Sequence, residues 1–270
     1  MRTALSLVLL LLVSAPVYAA CAFRKDVAKV ISLSGPVTVL LREAGLLRHP
    51  AVTGISIFSP IRRKEFGGKI YPGGLFLARS ALAEFAGGVV FYDAGRELRR
   101  ILQTVSGIRA IEVNTRDRLP LEVIDHTIVL VTGVTEGCEA AFRKFRGRGQ
   151  ALQDELLRKV SAELKVVFFL GSFRGTRPPE LVMANDGVVK LLRRERRIAT
   201  YPSDLAYVNW SARLLASLPA RTLLVGLEDS SMDGEKKLTT AETRTTVTYP
   251  GILVPGITQL AGLLYWARGL

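Results

Sequence analysis

Residues 138–164, CEAAFRKFRGRGQALQDELLRKVSAEL, constrain this chain more than any other stretch. They read as one long helix, with Phe142, Phe145, Leu152, Leu156, Val160 and Leu164 recurring at spacings that share a face. On each side lies a run of alternating strand and helix signals. Such a run ordinarily keeps winding one sheet. Here a helix of about 40 Å, at 1.5 Å per residue, intervenes before a second run begins. The layout predicts an α/β protein of two lobes tied by one connecting helix, with a ligand cleft between them. Gly147 and Gly149 leave open a break in that helix, since each costs about 1 kcal/mol relative to Ala in a helix interior.

The predicted boundaries are 20–134 for the first lobe, 135–164 for the connector and 165–270 for the second lobe. In the first, strands are expected at Val27–Ser34, Val52–Phe58, Val89–Tyr92 and Ile108–Val113. Between and after them come helices at Val37–Ala44, Leu75–Phe85, Ala94–Val105 and Leu119–Val131; the β-branched residues of the last leave a strand open. Ser34-Gly35-Pro36 is a turn with Pro placed to start a helix, and 59–74 reads as a long loop. In the second lobe, Lys165–Leu170 and Thr222–Leu227 are apolar strands of the kind buried on both faces. Helices are expected at Asn185–Arg194, Trp210–Leu218 and Pro255–Arg268. Tyr201–Asn209 reads as loop and 230–246 as polar turns.

The N-terminus is a separate matter. Met1-Arg2 precedes an apolar run, Leu5–Val13, too short to span a bilayer. Val17-Tyr18-Ala19 then offers a cleavage site, so residues 1–19 read as a signal peptide and the mature protein is expected in the periplasm. A lipid anchor on Cys21 fits poorly, because Tyr18 stands where a lipoprotein signal usually carries Leu. The chain has two cysteines, Cys21 and Cys138. In an oxidising compartment they invite a disulfide; two free thiols are the alternative.

The formal charge is +13 and the pI about 10.1. The basic residues are dispersed, and no aromatic-interleaved basic motif or nucleic-acid module appears. An exported basic protein meets anionic ligands or envelope surfaces rather than nucleic acid. The catalytic inventory is thin. His49 and His126 have no metal-ligand spacing, and no nucleophile elbow, P-loop or dinucleotide fingerprint is present. No enzyme activity, metal or cofactor is expected. Glu228-Asp229, at the end of an apolar strand, is either an acid pair or a loop anchor.

What remains is the set of residues expected where strand ends of the two lobes face each other. In the first lobe these are Ser34-Gly35-Pro36, Phe58-Ser59 with the Arg62-Arg63 loop, Tyr71 and Phe91-Tyr92-Asp93, with Ser34, Phe58, Arg62, Arg63, Tyr71 and Tyr92 as the ligand contacts. In the second they are Phe173, Arg174, Tyr201, Trp210 and Glu228. Aromatic rings that stack and guanidinium forks that grip carboxylate or phosphate suit a flat or conjugated anionic ligand.

The order of these segments resembles the helical-backbone class of periplasmic substrate-binding proteins. The likeness rests on KVISLSGPVTVLLREAG at 29–45 followed by VTGIS at 52–56, on NWSARLLASLP at 209–219 before a buried strand, and on VPGITQLAGLL at 254–264. It implies two Rossmann-like lobes and capture of a cobalamin, ferric siderophore or haem-class ligand by a monomer that serves an ABC importer. It also implies an exposed Glu on each lobe for the permease. Glu97 matches the first position; the second falls at about Ala212, which is not acidic. The alternative is an envelope interaction protein that keeps the fold, has lost transport and binds a partner or lipid surface. Relatives that bind metal ions directly are excluded by the shortage of histidine.

Overall fold

The computed structural model describes residues 21–61, 63–72, 79–160, 164–173, 181–183, 186–195, 207–209, 211, 218, 222–230, 236–241 and 244–270. The expected signal peptide, 1–19, lies outside them, as does the helix expected at 210–218 apart from two residues.

The first sheet follows from alternation. Strands β2 (Val30–Leu33), β3 (Val52–Ser56), β4 (Lys69–Tyr71), β5 (Val89–Asp93) and β6 (Arg109–Val113) lie in the order β4-β3-β2-β5-β6. Every pairing in this sheet is parallel. Parallel neighbours need crossovers, and α1 (Gly35–Glu43), α2 (Arg79–Ala83) and α3 (Arg96–Gln103) occupy three of them. Strand period then divides the core. Val89 and Phe91 belong to the cluster shared with α1, whereas Val90 and Tyr92 belong to the cluster with Leu98 and Leu102 of α3. Strand β4 falls in the stretch 59–74 expected to be loop.

Helix α4 (Pro120–Thr132) follows, its first turn closed by Glu122, whose carboxylate accepts from the Leu119 N–H at 2.8 Å. A two-strand ribbon comes next. β1 (Ala22–Phe23) pairs antiparallel with β7 (Thr135–Glu136), and a Cys21–Cys138 disulfide fastens the same place. The segment that begins at Cys21 is thereby stapled to the start of the connector.

The connector, α5 (Glu139–Lys159), is continuous through Gly147 and Gly149. Gly149 is buried against α4, where an added Cβ would stand 2.4 Å from Ile124 Cδ1. The glycine that weakens the helix is therefore the one that lets it press onto its neighbour. Phe142 and Phe145 enter the first core; Leu156 and Val160 enter the second; Leu152 packs against both.

The second sheet contains β8 (Val166–Leu170), β9 (Leu181–Met183), β10 (Tyr207–Asn209), β11 (Leu223–Glu228), β12 (Lys237–Ala241) and β13 (Arg244–Thr248), in the order β10-β9-β8-β11-β13-β12. Its centre, β8-β11-β13, is parallel, and antiparallel strands extend it on both sides. Helix α6 (Gly187–Arg194) starts at Asp186, whose carboxylate accepts from the Val188 N–H at 3.1 Å. The final helix, α7 (Ile257–Ala267), packs along α5 and carries Leu260, Leu263 and Trp266 into the second core. Two expectations need correction here. Segments 201–209 and 230–246, read as loop and turns, contain β10 and the β12–β13 pair.

The two sheets are joined by more than α5. Helix α4 contacts α1, α5, α6 and α7, and Ile257 of α7 sits in the first core. At the start of α6, Gly187 passes so close to α4's approach that a Cβ would lie 2.1 Å from the Arg118 carbonyl oxygen. The Lys190 ammonium bridges to Asp117 at 2.7 Å, and Arg148 on the connector to Glu43 on α1 at 2.8 Å.

Candidate ligand cleft

The cleft of interest opens above this seam. It has a volume of about 1050 Å³ and takes residues from both lobes: Leu33, Ser56, Phe58 and Asp93 at the strand ends of the first, and Asp229 just after β11 with Leu253 and Val254 from the loop before α7 in the second. Small-molecule sites usually span about 300–1,000 Å³, so the space suits a bulky ligand. Ligands of parallel α/β sheets bind at the carboxyl ends of strands because helix N-termini converge there. Here the N-terminus of α1 supplies Gly35 and Pro36, and α3 supplies Arg96 and Glu97.

Phe58 is 68% exposed and Leu253 38% exposed. These two large apolar residues line the same cleft from opposite lobes. Isolated exposed apolar side chains need no explanation, but two from separate lobes on one concave surface form an apolar clamp. Beneath them lies a cluster of hydroxyls. Ser32 and Thr38 share a hydrogen bond at 2.8 Å, Thr38 donates to the Ser34 carbonyl at 2.9 Å, and Ser59 donates to Thr38 at 3.1 Å. The Ser34 hydroxyl is fully buried and lies beside the Asp93 carboxyl.

Asp93 ends β5 on the cleft surface. Its side chain is exposed to the cleft, yet the protein crowded around the carboxyl pushes the pKa up towards about 6, against hydrogen bonds from the Ser34 hydroxyl and the Gly35 N–H. Asp229, on the other lobe, is also pushed up by desolvation, against the Gly251 N–H that donates to it at 2.8 Å. Arg96, Glu97 and Arg116 add charge to the same lining. Among the described residues, no three His, Cys, Asp or Glu side chains gather as a metal site. A second hollow, about 950 Å³, lies between α2 and α3, lined by Leu82, Ile101 and Val105; it involves one lobe alone.

Several expected site residues are placed elsewhere. Tyr71 is buried at the sheet edge and donates to Glu84 at 2.7 Å; burial first, then Glu84, pushes its hydroxyl above the ordinary phenol range. Tyr92 is buried on the α3 side and donates to Glu112 at 3.2 Å. Side chains alternate along a strand, so Tyr92 faces inward while its neighbour Asp93 meets the cleft. Phe173 packs edge-on against Phe169, away from the lining. Glu228 is held by Ser172 at 3.2 Å and Thr248 at 3.1 Å, so the acid pair divides: Glu228 anchors loops and Asp229 meets the cleft. Arg62, Arg174, Tyr201 and Trp210, with Ala212, lie outside the described residues. Arg63 begins a short 3-10 turn, Arg63–Glu65. Phe58 and Glu97 are the expected residues that line the cleft, and Ser34 lies under its floor beside Asp93. Asp93, in the expected strand-end group Phe91-Tyr92-Asp93, lines the cleft, whereas Leu253 and Val254 were not expected there, because an LVP loop carries no motif.

Two α/β lobes on a long helix, with the cleft at the strand ends, are the fold of the helical-backbone periplasmic binding proteins. The chain superposes on the periplasmic haem-binding protein BhuT in complex with two haems at a TM-score of 0.65 and 14% identity, covering 89% of this chain and 96% of that one. It superposes on DesE, a ferric-siderophore receptor protein from Streptomyces coelicolor, at 0.61 and 11% identity, covering 90% and 92%. With the periplasmic vitamin B12-binding protein BtuF of Vibrio cholerae the values are 0.59 and 13%, covering 91% and 99%. No family model matches the chain, and no curated protein matches it in sequence. At these identities the likeness is one of fold.

Proposed function

We propose that this chain is an exported solute-binding protein of the periplasm. It captures a bulky chelate of the haem, ferric siderophore or cobalamin kind between its lobes and delivers it to an ABC importer. The observation that carries this reading is the inter-lobe cleft itself, about 1050 Å³ with Phe58 and Leu253 exposed on its two sides. Apolar surface held open to water on both walls gains free energy when a flat ligand covers it, at about 25 cal/mol per Å². Structural neighbours that bind haem, ferric siderophores and vitamin B12 support the same reading.

Ligand capture here needs little lobe motion. Helix α5 feeds both cores, and the seam around α4 is closed by contacts with no room for an added Cβ. Closing the lobes as rigid bodies would have to disturb that packing. Glu97, exposed in the first turn of α3, is the proposed contact to a permease.

The test is a thermal-shift screen of the mature protein with haem, ferric siderophores and cobalamin. A ligand at 100 times its Kd stabilises by about 2.7 kcal/mol, so one class should raise Tm clearly. No shift with any of them would contradict the reading.

A further inference from the structure

We propose that the outer face of the connector α5 docks this protein on an anionic phospholipid surface. The first support is where the positive charge lies. The formal charge is +13, yet the described cleft lining sets Asp93, Glu97 and Asp229 against Arg96 and Arg116. A cation excess lies on the connector instead. Of the exposed charged residues of α5, six are cations and two are carboxylates, Glu139 and Asp154.

The second support is that four of those cations lack a counter-ion. Arg146 pairs with Asp125 on α4 and Arg148 with Glu43 on α1, both at 2.8 Å. Arg143, Lys144, Arg158 and Lys159 form no ion pair among the described residues. The third support is their arrangement. The helix turns Phe142, Phe145, Gly149 and Leu156 into the protein. At 3.6 residues per turn, Arg143, Lys144, Gly147, Ala151 and Arg158 emerge on the opposite side, and all five are exposed. Asp154 shares that side, where its carboxylate accepts from the Gln150 amide at 2.8 Å. The helix is about 32 Å long at 1.5 Å per residue, so cations stand toward both ends of one line with small side chains between them.

A straight, shallow row of cations matches a plane of lipid phosphates. A single-stranded nucleic acid would call for a basic groove with aromatic rings to stack its bases, and this face has neither. No large apolar side chain emerges on the outer side, so nothing there inserts among acyl chains. Attachment is then electrostatic, reversible and weakened by salt. The described cleft lining includes no residue of α5, so a protein held by this face keeps its cleft open. The inference does not depend on which solute the cleft takes.

The test is flotation of the mature protein with vesicles of phosphatidylcholine alone, or with phosphatidylglycerol as about one third of the lipid. At low salt the wild type should partition onto the anionic vesicles about tenfold or more above the neutral ones, and about 0.5 M NaCl should release it. Arg143→Gln/Lys144→Gln/Arg158→Gln should lower that partition about tenfold or more, since each cation near an anionic surface counts about fivefold. Arg100→Gln/Lys236→Gln/Lys237→Gln removes the same net charge from exposed positions outside α5 and should leave the partition nearly unchanged. All six side chains are exposed, so both variants should keep the wild-type Tm. Equal partition of the wild type onto the two kinds of vesicle, or equal losses in the two triple variants, overturns the proposal. Duplex DNA bound as tightly as the anionic vesicles at the same salt overturns the assignment to lipid. None of these results touches the solute-binding reading, which the chelate screen tests separately.

Discussion

The two lobes share a parallel centre and differ at their edges. The first sheet is parallel throughout, while the second extends β8-β11-β13 with antiparallel strands on both sides. The first is also tied covalently, by Cys21–Cys138 next to the β1–β7 ribbon. Both present the cleft from the carboxyl ends of parallel strands. Ligand-facing geometry is thus conserved between the halves, whereas each edge is closed by its own device. Antiparallel edges end a sheet without requiring another helix, and the disulfide secures a two-residue strand too short to hold by itself.

The largest effect expected from breaking this asymmetry is loss of the disulfide. The bond closes a loop of 117 residues. The chain-entropy model places Cys21→Ser/Cys138→Ser at up to about 5 kcal/mol of destabilisation. Hydrogen exchange should accelerate in β1, β7 and the first turns of α5 while β8, β11 and β13 keep their protection. Equal acceleration in both sheets would mean that the lobes unfold as one unit. Next in size is Gly187→Val, which sets a side chain against the Arg118 carbonyl at the seam between lobes. Overpacking of this kind costs about 1–3 kcal/mol, and denaturant unfolding should show it as a lowered midpoint.

The smallest effect concerns the unliganded cleft. The folded pKa of Asp93 lies near 6, above the ordinary 3.8. The native state therefore holds more protons than the unfolded state between those values, and stability falls as pH rises through that window. Asp93→Asn should remove this fall. The variant should match wild type near pH 3.5 and exceed it modestly at pH 7.5, as measured by thermal unfolding. A wild type whose stability is flat from pH 4 to 6 would mean that the folded protein leaves the Asp93 pKa at its ordinary value.

Much of this architecture was legible because its signals are redundant. Each parallel strand is an apolar run that must be followed by a crossover, so β2, β3, β5, β6, β8 and β11 announced themselves along with the helices between them. The segment 237–248 did not, because KLTTAETRTTVT mixes Thr with charge and lacks apolar alternation. Its strands form by pairing with β11 through β13, a tertiary cause invisible locally. The connector's glycines had a similar explanation, since Gly149 is required by Ile124 across the contact. The cleft was legible in outline only. Strand ends located it, but the two-residue period decides which neighbour faces it, and of the group Phe91-Tyr92-Asp93 it is Asp93 that does. Leu253 came from a loop whose position depends on the whole second lobe.

The central claim is that one ligand is held between the two lobes by both walls at once. Calorimetric titration with the ligand that gives the largest thermal shift, in wild type, Phe58→Asp and Leu253→Asp, tests it most directly. Both substitutions alter exposed side chains, so the fold should persist. The account predicts a stoichiometry of one and a loss of affinity of about tenfold or more from either wall, in line with burial of a single apolar side chain. Undiminished affinity in both variants would place the ligand elsewhere and contradict it.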